Sequence, residues 1–374
     1  MADTRVASGL TVEQWDDQYF TEYLTDNRFS ESMGSNETAV IQVKENLTKK
    51  PGDRINFALV NKLTNDAVTG RSTMEGNEED FASREFPVTV DKRRNAVRVA
   101  EIDEQYSAIS LREAGRSVLM DWSKKDTEKL ITRALSSING KRVLALGRTE
   151  TNQASNAEMD TWLVDNSDRV LFGKLRSNNV ANDWSDCIDT LDTTNDLLTA
   201  AAVSKMKAIA ETIANPLIRP IRSTVNKGRR YYIMYAHPYA FNDLKGDATI
   251  TQAQREVVLQ MENERLFEGG DLYWDGVIIK QVEEAITEWD LGLDGASSAR
   301  VVSAYLCGAQ AIGMANARRW RSTTETFDYG DKYGVEMSAI YGVEKLRFES
   351  GNPDSGDYKD HGVVSGFFAT SGLA

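Results

Sequence analysis

From residue 51 onward the chain alternates with a period of two. Ile55, Phe57 and Leu59 are separated by other residues, and Phe86-Pro-Val-Thr-Val90 and Ala96-Val-Arg-Val-Ala100 answer them with β-branched side chains. This pattern predicts a pair of strands. The intervening residues 64–84 hold Gly70, Gly76 and the acidic run Glu78-Glu79-Asp80, with few apolar groups. A hairpin this long with nothing to cover either face is marginal in water. It therefore needs a cover, either a neighbouring copy or its own domain, and the residue types do not choose between them.

Beyond the hairpin the period changes to that of a helix. Ser110-Leu-Arg-Glu113 has the form of a capping box, and Leu111, Val118, Leu119, Trp122, Leu130, Ile131, Ala134, Leu135 and Ile138 follow at three- and four-residue steps before Asn139-Gly140. Unbroken, such a helix is a rod of about 40 Å; the polar run at 123–127 is where it would split. Residues 148–196 are rich in Asn, Asp, Ser and Thr, punctuated by Trp162, Leu163, Leu171, Phe172 and Trp184, and read as a surface insertion with some anchoring. A second helix is predicted over 198–214, ended by Pro216 and Pro220. Strands follow at 229–235, 276–280, 301–307, 323–327, 335–340, 343–348 and 363–368. The fold class is α+β, with segregated helices and antiparallel strands. Residues 1–50 are polar, with Trp15, Tyr19, Phe20 and Tyr23 on one side of a short predicted helix, read equally as a docking arm or as a helix on its own domain.

Composition narrows the function. With 374 residues, 44 Lys plus Arg and 57 Asp plus Glu, the formal charge is −13, the wrong sign for a protein that wraps nucleic acid. No basic patch followed by an apolar block opens the chain, and the longest uncharged stretch, 301–317, is too short and polar to span a bilayer. Cys187 and Cys307 lie far apart and suit a reducing cytosol. With only His237 and His361, no zinc motif is possible, and no phosphate-binding, dinucleotide, nucleophile-elbow or EF-hand pattern occurs. No cofactor and no metal are expected. Asp189, Asp192 and Asp196 could supply paired carboxylates for acid/base work, against a solvated polar segment. His237 precedes Pro238, has no nucleophile near it in sequence and reads as a structural strand-end residue. The basic clusters at 92–94, 227–230 and 318–321 are read as intersubunit ion pairs, with stacking on nucleic acid the alternative for Arg318-Arg319-Trp320-Arg321.

Local sequence adds a resemblance. Leu198-Thr199, Asn215-Pro216 with Arg219-Pro220, Tyr232-Ile-Met-Tyr-Ala-His-Pro238 with Asp243-Leu244, Gly276-Val-Ile-Ile279, Cys307-Gly-Ala-Gln-Ala311 and Ile340-Tyr-Gly-Val-Glu-Lys-Leu-Arg-Phe348 occur in that order. Together with the order of elements, they resemble the major capsid proteins of tailed bacteriophages with the Hong Kong 97-type fold, in particular the schitovirus-type family, from about residue 38 to the C-terminus. The closing Asp357-Tyr-Lys-Asp-His-Gly-Val-Val364 is looser than the compact Asp-x-Gly-Val ending of that family.

The resemblance implies an N-terminal arm (1–50), an extended β-hairpin loop (51–101), a peripheral domain with the spine helix and polar insertion (102–199), an axial domain (200–315) and C-terminal strands returning to the peripheral domain (316–374). It implies hexamers and pentamers closing into an icosahedral head around double-stranded DNA, located in the virion and assembled in the host bacterial cytoplasm. The implied partners are other copies of the chain and scaffolding, portal and decoration proteins, with no membrane and no catalysed reaction. Candidate assembly residues are Trp15 and Tyr19 in the arm, Arg71, Glu75, Glu78, Glu79, Asp80 and Phe81 in the loop, and Arg93 and Arg94 at its base. Charge reversal at Arg93 and Arg94 is expected to weaken assembly more than folding. A nanocompartment shell of the encapsulin type and an acidic cytosolic hydrolase are the alternatives.

Overall fold

Two mixed sheets with a long helix between them carry the structure. The computed structural model describes residues 28–45, 52–60, 66–79, 83–106, 111–143, 152–222, 230–252, 271–349 and 357–372. The strands are β1 (Met33–Gly34), β2 (Ile41–Lys44), β3 (Arg54–Val60), β4 (Ser83–Thr89), β5 (Asp91–Ala100), β6 (Val170–Phe172), β7 (Ile221–Arg222), β8 (Arg230–Ala236), β9 (Leu272–Trp274), β10 (Val277–Gln281), β11 (Asp290–Gly292), β12 (Arg300–Cys307), β13 (Ile312–Phe327), β14 (Lys332–Lys345), β15 (Arg347–Glu349), β16 (Tyr358–Asp360) and β17 (Val363–Thr370). The α-helices include α1 (Glu101–Tyr106), α2 (Leu111–Ser136), α3 (Asn156–Asn166), α4 (Trp184–Asp189), α5 (Ala200–Ala208), α6 (Pro238–Lys245) and α7 (Ala285–Glu288).

The larger sheet runs β6-β17-β12-β8-β10-β9, with β7 and β11 on its flanks. Its central strands are apolar without alternation because both faces are covered. Helices α5 and α6 put Val203, Met206, Phe241 and Leu244 on one face with Met234, Ile279 and Leu306. On the other face Tyr235, Tyr305 and Ile233 share a core with Leu119, Ile131 and Leu135 of α2 and with Trp320, Met337 and Tyr341 of the second sheet. That second sheet runs β1-β2-β13-β14-β5, and register shifts at Asn316/Arg318 and Arg318/Arg321 mark bulges in β13.

Several expectations are corrected. The sheets are mixed, not antiparallel throughout: β8/β10, β6/β17, β1/β2 and β2/β13 are parallel. Residues 96–100 belong to β5, which pairs with β14, and not to the hairpin. The strand at 363–368, expected to return to the peripheral domain, lies in the larger sheet between β12 and β6, the latter from within residues 102–199. Residues 148–196 are no mere surface insertion, since Trp162, Leu163, Phe172 and Trp184 are buried in a core that also takes in Val301 and Phe367. Ser155 and Glu158 form a reciprocal capping box at the start of α3. Ser110 lies outside the described residues.

The polar run at 123–127 leaves α2 unbroken because its hydroxyls find partners. Ser123 donates to the Met120 carbonyl (2.7 Å), and Thr127 shares a hydrogen bond with the Tyr341 hydroxyl (2.9 Å). His237 is buried and caps α6, its Nδ1 accepting the Tyr239 amide at 3.1 Å.

Candidate assembly surface

The hairpin β3/β4 is built by the alternation that the sequence shows. Cross-strand pairs run from Arg54↔Thr89 through Phe57↔Phe86 to Val60↔Ser83, so period two puts Ile55, Phe57, Phe86 and Val88 on one face. All four are buried, packed with Ala315, Leu346 and Phe348 of the same chain. The stem is thus not a free finger, since later segments of its own chain cover one side. Two glycines permit the close approach. A Cβ on Gly342 would lie 1.8 Å from the Thr89 carbonyl oxygen, and one on Gly313 would lie 2.7 Å from the Leu346 side chain and 3.1 Å from the Phe57 ring. The Lys44 ammonium sits 4.4 Å over the Phe57 ring and donates to the Asn56 carbonyl at 3.1 Å. Burial draws its pKa below the ordinary lysine value.

The opposite face of the stem is bare. Arg54, Asn56, Ala58, Val60, Ser83, Glu85, Pro87 and Thr89 are all exposed, and Val60 keeps 55% of its surface. The loop beyond it is also exposed through residues 66–78 and includes Val68 and Met74. Its own hydrogen bonds are local: Gly76 N–H donates to Glu78 Oε2 and Asn77 N–H to the Met74 carbonyl. Arg71, Glu75 and Glu78 therefore stand in solvent and Glu79 is half-buried. Asp80, Phe81, Trp15 and Tyr19 lie outside the described residues.

At the base of the hairpin the two arginines differ. Arg93 grips Asp126 of α2 with Nε and Nη2, both at 2.6 Å, and Tyr341 donates to the same carboxylate at 3.1 Å. The carboxylate raises the Arg93 pKa against the opposing effect of burial. Arg93 is therefore a folding contact within the chain, contrary to its expected role as an exposed charge, whereas Arg94 is exposed. In the cluster at 318–321, Arg319 pairs with Glu45 and Arg318 donates to Ser338, again within the chain.

A second exposed apolar patch was missed at the sequence level. Phe327 and Tyr329 crown the β13/β14 turn, where Asp328, Tyr329 and Gly330 all have positive φ. Ile102 and Tyr106 of α1 are exposed at the same end, where the Glu101 amide donates to the Asp331 carbonyl. The tyrosine between Asp and Gly was the available signal: a turn residue gains nothing locally from a ring.

The acid/base candidates are occupied with loop building. Asp192 accepts the Thr194 and Asn195 amides, which hold its carboxyl below the ordinary range, and buried Asp196 accepts the Lys174 amide and the Asn178 side chain. Asp189 is exposed at the end of α4. Among the described residues no group of His, Cys, Asp or Glu converges as metal ligands, and no helix is long and apolar enough to cross a membrane.

Known proteins share this architecture along nearly its whole length. The major capsid protein of Pseudomonas phage KPP25 is 25% identical, with 96% of each chain covered. The capsid asymmetric unit of cyanophage Pam1 superposes with a TM-score of 0.77 at 29% identity over 100% of both chains. The capsid of Ralstonia phage GP4 gives 0.73 at 22% identity over 92% of each. The family model described as phage capsid protein matches residues 3–365. With that span matched, the chain belongs to the phage capsid protein family.

Proposed function

We propose that the chain is the major capsid protein of a tailed phage with the Hong Kong 97-type fold, of the schitovirus type, self-assembling as hexamers and pentamers into an icosahedral head around double-stranded DNA. The observation that supports this reading most is the two-faced hairpin: one side is buried on later segments of its own chain, while the other side and the loop beyond it are exposed. A neighbouring copy that covers this second face gains apolar burial at ~25 cal/mol per Å², and a specific interface needs about 1,000 Å² or more. Each contact stays modest, and closure with symmetric repetition makes the whole stable. In this reading the arm is 1–50, the extended loop is the hairpin part of 51–101 ahead of β5, the peripheral domain 102–199, the axial domain 200–315 and the returning strands 316–374. Scaffolding, portal and decoration proteins are its partners, the virion its place and the bacterial cytoplasm its site of assembly.

The charge of −13 suits a container. A strongly basic lining would hold DNA by phosphate neutralisation, whereas an acidic balance lets the genome leave. No reaction is assigned to the chain.

The test is expression of the full chain followed by light scattering and electron microscopy. Capsomers or closed icosahedral particles are expected, and a discrete small oligomer under all assembly conditions overturns the proposal. Nucleic acid rather than a cargo protein inside purified particles separates a phage head from a nanocompartment. Deletion of residues 64–83 is expected to leave a soluble, folded chain that no longer closes shells.

A further inference from the structure

Asn139-Gly140 is the one asparagine–glycine pair in the sequence, and every other asparagine precedes a residue that carries a Cβ. The pair turns the chain just beyond the end of α2. Asn139 has a φ of 52° and Gly140 a φ of 77°, and the amides of Ile138 and Lys141 each donate to the other's carbonyl at 2.9 Å, as in a two-residue hairpin turn. Both turn residues are exposed. The Gly140 amide donates to no acceptor among the described residues. Apart from its chain neighbours, no atom lies within 4 Å of where a Cβ on Gly140 would stand. A free backbone nitrogen and the room for a ring are therefore present next to the Asn139 side chain.

One contact sets this turn apart from an ordinary exposed one. Arg347 of β15 donates from Nη1 to Asn139 Oδ1 at 2.6 Å. Its guanidinium lies 5.2 Å over the Phe86 ring of the hairpin stem, which holds it in place. A guanidinium stays charged at any ordinary pH. Fixed on the amide oxygen, it draws electron density from Cγ and stands where negative charge develops when a nucleophile adds to that carbon.

We propose that Asn139 is a site of spontaneous deamidation, promoted by Arg347. The Gly140 nitrogen loses its proton to hydroxide and adds to Asn139 Cγ, which places negative charge on Oδ1 beside Arg347. The bond from Cγ to Nδ2 then breaks, and Nδ2 leaves as ammonia with a proton taken from water. Water opens the resulting succinimide at either carbonyl, so that overall one water is consumed and one ammonia released. Opening one way yields aspartate, whose carboxylate turns the hydrogen bond to Arg347 into a pair of opposite charges. Opening the other way yields isoaspartate, which adds a backbone atom to a two-residue turn and breaks the reciprocal pairing of Ile138 and Lys141. The chemistry needs only the folded chain and does not depend on the capsid reading.

The test incubates the full chain at mildly alkaline pH in heavy-oxygen water and maps its peptides by mass spectrometry. The peptide carrying Asn139 should take up one heavy oxygen and split into aspartate and isoaspartate isomers ahead of every other asparagine. Removing one oxyanion donor slows a water-excluded site by about 10²–10³; at this exposed turn Arg347→Gln should slow the reaction about tenfold. Arg347→Lys keeps a cation without the planar fork and should slow it about threefold. Circular dichroism matching the parent establishes that each variant is folded, and should Arg347→Gln not fold, Arg347→Lys decides alone. An Asn139 that stays intact in the folded chain, under conditions in which the urea-unfolded chain deamidates there, overturns the site. A rate unchanged or raised in the folded Arg347 variants shows that the contact restrains the amide and overturns the part given to Arg347.

Discussion

Phe57→Ala separates the docked face of the hairpin from its exposed face. The ring is 1% exposed and packs in a cluster with Ile55, Phe86, Val88, Ala315, Leu346 and Phe348 that stands apart from the three larger cores. Truncating a buried Phe to Ala costs about 3–5 kcal/mol. Because this cluster is distinct from the three larger cores, the cost should fall mainly on the docking of the stem. At about 1.4 kcal/mol per tenfold, amides of β3 and β4 should lose roughly two to nearly four decades of hydrogen-exchange protection, while those of β12 and β17 keep theirs. Particle yield should fall with it. Val60→Asp, on the bare face, should leave stem protection intact and still reduce particles. Unchanged stem protection in Phe57→Ala, or a uniform loss across all strands, would refute the two-faced account.

Three further outcomes are expected. Lys345 and Asp360 are both buried and meet at 2.6 Å, with the Trp162 indole donating to the same carboxylate oxygen. Lys345→Met should therefore cost about 3–5 kcal/mol in urea unfolding, whereas adding Asp360→Asn should recover much of it; strictly additive losses would contradict the pairing. Arg93→Glu breaks two charged hydrogen bonds and should destabilise the unassembled chain by about 1.5–3 kcal/mol, against about 0.5 or less for Arg94→Glu; equal melting shifts would show that the Asp126 contact is not formed. Burial holds the His237 imidazole neutral and lowers its pKa to about 4, with Asp290 and Arg300 acting in opposite senses. The unfolded chain takes up a proton there below about 6.5 that the folded chain refuses until about 4, so stability should fall over that window by up to about 3 kcal/mol as pH drops. His361, also lowered to about 4 by burial, acts over the same window, so His237→Asn, which keeps an N-cap acceptor, should remove only part of the dependence; an unchanged pH profile would remove His237 as a source.

The strands of the hairpin stem could be read in advance because Ile55, Phe57, Phe86 and Val88 alternate with polar neighbours. What covers them could not, because Leu346 and Phe348 come from the far end of the chain. The same limit hid the placing of β17 beside β12 and the grip of Arg93 on Asp126. Residues 148–196 were misread for another reason: their polar residues are caps and turn formers. Ser155 caps α3, Asp183 caps α4 and Asp192 closes a turn, so polarity marks the ends of buried helices there. The motifs behind the resemblance prove to be packing junctions. The Ala309 amide donates to the Arg219 carbonyl, and a Cβ on Gly308 would lie 2.5 Å from that oxygen, so two distant motifs meet through a contact that only glycine permits.

The half-docked hairpin changes what assembly has to supply. A free two-stranded arm would have to order its backbone on meeting a neighbour, at about 1–2 kcal/mol per residue, and that ordering would come out of a thin interface. Here Phe57, Val88 and the close approach at Gly342 order the stem within the monomer. The bare face then arrives with its register set, and a neighbour contributes burial with less ordering cost. The loop at 66–78 is exposed at every residue and offers its surface to a neighbour. Under the proposed capsid reading, an ordered stem with an exposed loop suits a subunit that would make the same kind of contact in hexamers and pentamers, where the angle between neighbours differs.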